Sequence, residues 1–415
     1  MLQISNLRLG LDFTGQDLKR AAAKKLRLPE RALISVELAK KSVDARKKDR
    51  VHFVCAARVR VDTDEGRLIN RLKDSSVRIV EPYVLELPNT PAPELPPVVV
   101  GFGPAGMFAG LILARCGQRP IIIERGQPVE ERQRAVELFW RQGRLDPESN
   151  VQFGEGGAGA FSDGKLTTGT GDGRIRYVLE ELAAAGAPEE ILTDAKPHIG
   201  TDRLPGVVKN IREKILELGG QVLFDTKLTD ILTNSGHVSG ITVQTPDGER
   251  TIPCKKLILA VGHSARDVFA LLHRKGLPME QKPFSVGVRI EHPAALVDRA
   301  QYGIFAGHPA LGAADYKLSC HLKNGRGVYT FCMCPGGTVT GAASEPGGIV
   351  TNGMSPWKRD GKNSNAALLV GVGPEDFGSE GPLAGVEYQR RIERLAYEYT
   401  GGYLCLLYTS DAADD

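Results

Sequence analysis

The segment PPVVVGFGPAGMFAG, residues 96–110, constrains this chain more than any other. Gly101, Gly103 and Gly106 spell G-x-G-x-x-G directly after the apolar run VVV and at the head of a helix-forming stretch that includes Pro104 and Ala105. Gly101 permits a tight turn and Gly103 lets the main chain approach a diphosphate. Gly106 lets helix and strand pack closely, and an anion then rests at the positive helix N-terminus. The spacing alone is weak, and a strand-turn-helix needing glycine only for packing would show it too. The context adds what the spacing lacks. RPIIIER supplies a second strand, and Glu124 ends it about twenty residues beyond the glycines, where a carboxylate accepts hydrogen bonds from ribose hydroxyls. An acid there, rather than an arginine, argues against a 2′-phosphate.

A second glycine-rich segment, NVQFGEGGAGAFSDGKLTTGTGDG, begins at Asn150. Gly154, Gly156, Gly157, Gly159 and Gly164 are interleaved there with Ser162, Asp163 and Lys165. A simple nicotinamide dehydrogenase has no need for such a loop. A larger cofactor with a tricyclic ring does, because amides and a cation can face its ring and phosphates. This predicts FAD, with a flexible surface loop as the alternative. Downstream, KKLILAVGHSARDVF reads as a buried strand closed by Ala260, Gly262, His263 and Ser264, expected to lie against the first glycine turn.

The remaining chain divides by pattern. Residues 1–88 read as β-α-β-β-α-β, a ferredoxin-like α+β domain whose last strand is expected over VRIVEPYVLEL. A proline-rich linker, 89–97, follows. Residues 98–281 read as an α/β Rossmann-like FAD-binding domain, with QVLFDTKLTDILT as one strand. Residues 282–384 read as an inserted β-rich substrate domain, 385–404 as a helix returning to the FAD domain, and 405–415 as a non-native tail. The predicted class is therefore α/β with a smaller α+β domain in front.

Hydrophobic residues make up 41% and charged residues 25% of the 415, the balance of a globular protein rather than a disordered one. The net charge of +3 is too small to argue for nucleic acid. Lys and Arg do concentrate in the first domain; a solvated surface is the plain reading and RNA docking the alternative. Seven cysteines without paired spacing point to a reducing, cytoplasmic setting, and none combines with histidine at zinc-like spacing. MLQISNLRLGLDF lacks the form of a secretory signal, and the apolar stretch 97–114 is broken by glycine and proline, so no membrane span is expected.

Taken together, GFGPAGMFAG, NVQFGEGGAGAFSDGKL, LILAVGHSARD, FSVGVRIEHP, FCMCPGG and SEPGGIVTNGMS span most of residues 97–372. They resemble the bacterial FAD-dependent dehydrogenases (NAD(P)/FAD-dependent oxidoreductases) of unknown substrate, within the wider glutathione-reductase-like flavoproteins. The resemblance implies FAD held by Gly101, Gly103, Gly106, Glu124 and Arg125, with the loop Gly157 to Lys165 near the flavin and main-chain contacts to the adenine at Leu228. Two departures stand out. RGQPVEER replaces the usual R-x-G-G motif, and the closing strand, Gly-Asp or Gly-Glu turn and helix of such proteins are not found before CLLYTSDAADD. A truncated copy of a longer protein is expected.

Chemistry is expected at four groups. Cys332 and Cys334, one residue apart in a strand, should share a face. They read as a redox pair facing flavin or as small apolar core residues. Lys165 and Asp163 are expected beside the flavin, where a cation stabilises charge on the reduced ring. Arg289, Glu291 and His292 combine an anion binder, an acid and a proton donor; His263 follows Gly262. The expected function is an FAD-dependent oxidoreductase acting on a small-molecule substrate or electron acceptor. An RNA-associated flavoprotein and a non-catalytic FAD-binding fragment are the rivals.

Overall fold

The computed structural model describes residues 1–401, so the expected tail at 405–415 lies outside the described residues. The first unit contains β1 (Leu2–Leu9), α1 (Gly15–Leu26), β2 (Leu33–Asp44), β3 (His52–Val61), α2 (Glu65–Leu72) and β4 (Val77–Ile79). Its strands lie in the order β2-β3-β1-β4, every neighbour antiparallel. Thr14 and Asp17 close a reciprocal cap that starts α1. Along β1 the inward residues run Leu2, Ile4, then Leu7 and Leu9. A bulge between Ile4 and Leu7, with Asn6 at φ 61°, absorbs the odd step and keeps both pairs on the core face. The last strand is shorter than expected. It ends at Ile79 because Pro82 and the prolines that follow lack the N–H groups a ladder needs.

The second unit begins with β5 (Val98–Val100), α3 (Pro104–Arg115), β6 (Ile121–Ile123), α4 (Val129–Gln142), α5 (Arg174–Ala184), α6 (Leu204–Glu217) and β7 (Gln221–Leu223). It continues through β8 (Lys227–Asn234), β9 (His237–Thr245), β10 (Gly248–Pro253), β11 (Leu257–Leu259) and α7 (Arg266–Arg274). A parallel sheet β11-β5-β6-β7 is sandwiched between two layers. Val99 and Ile122 pack on α3 and α6, against Leu111, Val208, Ile211 and Ile215. Val98, Val100 and Ile123 face the antiparallel meander β10-β9-β8, against Leu228, Ile241 and Val243. QVLFDTKLTDILT is thus two strands in two sheets. Asp225, at φ 49°, turns the chain between them.

The third unit holds β12 (Phe284–Pro293), α8 (Ala294–Tyr302), β13 (Ser319–His321), β14 (Gly327–Cys334), β15 (Thr338–Gly341), β16 (Thr351–Met354), β17 (Asn363–Val372), α9 (Pro374–Phe377) and α10 (Ala384–Tyr399). Four strands form an antiparallel sheet β12-β17-β14-β13, and β15 pairs with β16. That pair meets the second unit directly. Trp140 Nε1 donates to Gly341 O (2.8 Å), and Asn352 Nδ2 to Phe161 O (3.0 Å). Arg266, at the start of α7, ion-pairs with Glu345 and with Glu393 of α10, which ties the last helix back to the parallel-sheet unit. Among the described residues no helix is long and apolar enough to cross a membrane.

Candidate functional site

The turn leaving β5 divides its glycines by role. Gly101 sits at φ +97°, and a Cβ there would lie 2.4 Å from Ala260 O; at Gly106 it would lie 1.8 Å from Gly101 O. Both positions are closed to any side chain. Gly103 is different: a Cβ would meet only Gly157 Cα, at 3.7 Å. Its glycine is not required by the protein's own packing, so its open side belongs to the cleft. Gly103 also caps α3 without a side chain, and Pro104 at the first helical position has no N–H, leaving the first-turn amides of Ala105 and Gly106 turned outward.

A cleft of about 470 Å³ opens over this turn, within the size range of small-molecule sites. Gly101, Gly103, Pro104, Ala105, Glu124, Arg125, Gly157, Gly159, Leu228, Ala260 and Gly262 all line it, as does His263. Three expected cofactor residues do not. Gly106 lies behind the turn, where it lets α3 approach β5. Ser162 and Gly164 fasten the loop beyond the cleft, since Ser162 Oγ donates to Gly159 O (2.7 Å) and accepts from Gly164 N (3.0 Å).

Glu124 is held by the protein's own amides. Oε2 accepts from Phe102 N (2.8 Å), and Oε1 from Gly126 N (3.0 Å) and Gly154 N (2.9 Å). The carboxylate therefore ties the first glycine turn to the second glycine-rich loop. Oε2 carries one donor and retains a lone pair for a hydroxyl. Arg125, also on the cleft wall, pairs with Glu148 (2.8 Å) and Asp267 and lies 4.4 Å over the Phe153 ring. Lys227 joins the same network at 2.6 Å from Glu148.

The second loop is held by a residue that sequence reasoning missed. Arg132, fully buried on α4, donates Nε to Asn150 O (2.9 Å), NH2 to Val151 O (3.0 Å) and NH1 to Glu155 O (2.5 Å), with Gly154 O at 3.4 Å. Its guanidinium lies 4.8 Å over the Phe161 ring. Burial draws its pKa down to about 10, Glu124 and Glu155 opposing, so it stays charged at neutral pH. Glu155 next to it caps α4 through Val129 N (2.8 Å) and pairs with Arg212 (2.9 Å). Burial pushes the Glu155 carboxyl up to about 7. A sequence signal existed: Val129, Arg132, Val136 and Phe139 share the buried face of α4. The arginine interrupts the apolar pattern, and the helix was not anticipated.

Beyond Ser162 the loop reaches the third unit, where Asp163 and Lys165 meet Cys334. Lys165 Nζ lies 2.7 Å from Asp163 and 3.7 Å from Cys334 Sγ. Arg359, unforeseen, closes on Asp163 from the other side, its Nε at 2.9 Å. Burial works to raise the Asp163 carboxyl, but Arg359 and Lys165 outweigh it and hold it below its usual value. Cys332 corrects the sequence expectation. The pair does not sit on a regular strand; Cys332 adopts φ +48° where the β14–β17 register shifts between Phe331 and Cys334. Simple alternation does not place the two sulfurs.

Arg289, Glu291 and His292 do not converge. Arg289 binds Cys332 O (3.2 Å) and Asn365, Glu291 takes Asn363 Nδ2 (2.6 Å), and His292 Nε2 meets the Tyr316 hydroxyl (2.7 Å). Side chains on a strand alternate faces, so His292 points away from the face that Arg289 and Glu291 share.

The Asp163 pairing predicts a pH signature. Its folded-state value lies below the unfolded one of about 3.9, so its stabilisation is complete above pH ~4 and is lost as pH falls through the folded value. Asp163→Asn should be less stable than the parent by about 3 kcal/mol at pH 7, with the gap closing in acid below pH ~4. Urea melts at both pH values check this; coincident curves at neutral pH would refute it.

Comparison with known proteins adds the following. Residues 283–410 match the family model "FAD-dependent protein, C-terminal domain-like", and residues 1–60 match a domain of unknown function. An uncharacterized protein of Clostridium beijerinckii is 48% identical over 404 residues, covering 97% of this chain and 75% of its own length. Among solved structures, a flavin-dependent brominase is 16% identical with TM-score 0.35, over 72% of this chain and 63% of its own. A flavoprotein/dehydrogenase of Cytophaga hutchinsonii is 12% identical with TM-score 0.34, over 68% of this chain and 57% of its own. This chain spans less than two thirds of either, and at those scores neither carries an activity across. The clostridial match is of another order: the chain belongs to the family of that protein, its C-terminal part is of the FAD-dependent kind, and FAD is its cofactor.

Proposed function

We propose that the protein is an FAD-dependent oxidoreductase that holds its flavin non-covalently in the cleft over the β5–α3 turn and passes a hydride or electron pair between a small molecule and an acceptor. The observation that carries this reading is Gly103, whose missing Cβ leaves space that no protein atom needs, beside helix amides that no side chain caps. Gly101, Gly103, Pro104 and Ala105 would take the diphosphate on main-chain groups. Glu124, through its free lone pair, and Leu228 would take the adenosine. The loop from Gly157 to Lys165 would hold the ring end. There Asp163, Lys165 and Arg359 carry one net positive charge, suited to an anionic reduced ring. Bound flavin supplies the two-electron chemistry.

The test is direct. Purified protein should show a flavin spectrum, release the chromophore on denaturation without covalent attachment, and bleach anaerobically with at least one metabolite of a screened panel. A folded, colourless protein that takes up no added FAD would overturn the reading.

A further inference from the structure

We propose that Cys332 and Cys334 form a dithiol–disulfide couple that reduces low-molecular-weight disulfides, with Cys332 as the attacking sulfur and Cys334 as the resolving one. The inference deepens the oxidoreductase reading by naming a substrate class, but it rests on this chain's own sulfurs and not on the flavin.

Three observations carry it. The first is backbone shape. In a regular strand, residues two apart are nearly fully extended, whereas the bulge and the left-handed Cys332 fold the C-M-C segment back. A disulfide needs Cα atoms within about 7 Å, and folding this segment shortens their separation. The Cys334 thiol already reaches back to the Cys332 carbonyl at 3.3 Å. A left-handed φ is costly for a residue with a Cβ, and such strain persists where surrounding contacts impose it. Arg289, donating to Cys332 O at 3.2 Å, is one such contact.

The second is asymmetry of access. Cys332 is part-exposed and Cys334 is buried. An incoming disulfide meets only the first, and the second waits behind it. The third is charge. Lys165 stands 3.7 Å from Cys334 Sγ, and Lys165 and Arg289 both act on the pair. The neighbouring Cys334 thiol, opposed by burial and aided by Lys165 and Arg289, lowers the pKa of the Cys332 thiol; Cys334 moves in the opposite direction. Cys332 is then the sulfur that ionises first and Cys334 the partner that keeps its proton.

The step balances. The Cys332 thiolate attacks one sulfur of the external disulfide; that S–S bond breaks, a mixed disulfide forms, and one thiolate leaves. Cys334 gives up its proton, which the departing thiolate takes, and attacks the Cys332 sulfur, expelling the second thiolate. Two protein thiols lose two electrons, and one disulfide gains them as two thiols.

The experiment uses the reduced full chain and oxidised glutathione, followed by alkylation of remaining thiols and peptide mass measurement. The peptide bearing both cysteines should be two hydrogens lighter, unalkylated, and restored by dithiothreitol. Cys334→Ser should instead accumulate one glutathionyl group on Cys332. At pH 6 Cys332 should react about tenfold faster than the exposed reference Cys320, the gain in thiolate fraction exceeding the loss of nucleophilicity. The proposal is overturned if both cysteines are alkylated while Cys320 is glutathionylated, or if the parent protein stops at a mixed disulfide. Because the readout is mass, it stands apart from flavin binding: a protein that forms the bridge yet takes up no added FAD defeats the cofactor reading alone.

Discussion

Gly103→Val should give a folded protein that has lost FAD, with a dissociation constant raised by at least about 100-fold, the equivalent of roughly 3 kcal/mol. The backbone at Gly103 has φ −74°, which any residue adopts, and a Cβ would touch only Gly157 Cα at 3.7 Å. The fold leaves room for the new Cβ. Its branched carbons would instead fill the space over the α3 N-terminus and bar the diphosphate from the amides. Gly106→Ala is the counterpart. Its single methyl would stand 1.8 Å from Gly101 O and 3.4 Å from the Ala260 methyl, so α3 must move off β5. Overpacking of that kind costs on the order of 3 kcal/mol of stability, whether or not FAD is present. Thermal melts and flavin fluorescence titrations separate the two. If Gly103→Val binds FAD as the parent does, the diphosphate does not rest on this turn.

The contrast shows how far a motif can be read. Gly101, Gly103 and Gly106 were legible because main-chain approach and positive φ admit few residue types, so the letters report geometry directly. The burial of β5 was likewise visible in its unbroken apolar run, but the same reading failed for β11, an edge strand on which Ile258 and Leu259 are exposed. Less was legible where one residue's role depends on distant chain. That Glu124 would accept three amides follows from how Gly126 and Gly154 come round to it, and no local pattern states this. Arg359 meets Asp163 across 196 positions, and Arg289 meets the Cys332 carbonyl across 43. The Cys332 bulge was invisible for a related reason. Alternation assumes a regular strand, and what breaks it here is contact with β17 and Arg289 rather than a glycine in the segment itself. QVLFDTKLTDILT misled because its one turn-forming residue, Asp225, stands alone in a strand-like run and still turns the chain.

Arg132→Met should lower stability by about 3–5 kcal/mol and weaken FAD binding together with it. Methionine fills much of the volume but donates nothing. Asn150 O, Val151 O and Glu155 O lose their donors inside the protein, and the loop that carries Gly154 to Glu124 loses its support. Arg132→Lys should fare little better. A single ammonium cannot reproduce a planar fork that serves carbonyls on successive residues and lies against the Phe161 ring. The combination of effects distinguishes this variant from Gly103→Val, which loses the cofactor at unchanged stability. It also yields a rescue test. Ligand bound only to the native state adds about 2.7 kcal/mol at a hundredfold excess over its dissociation constant. Saturating FAD should therefore raise the melting temperature of Arg132→Met while leaving Gly103→Val where it was. An Arg132→Met protein as stable as the parent, with or without flavin, would mean that the glycine-rich loop is shaped by its own backbone and not by the buried guanidinium.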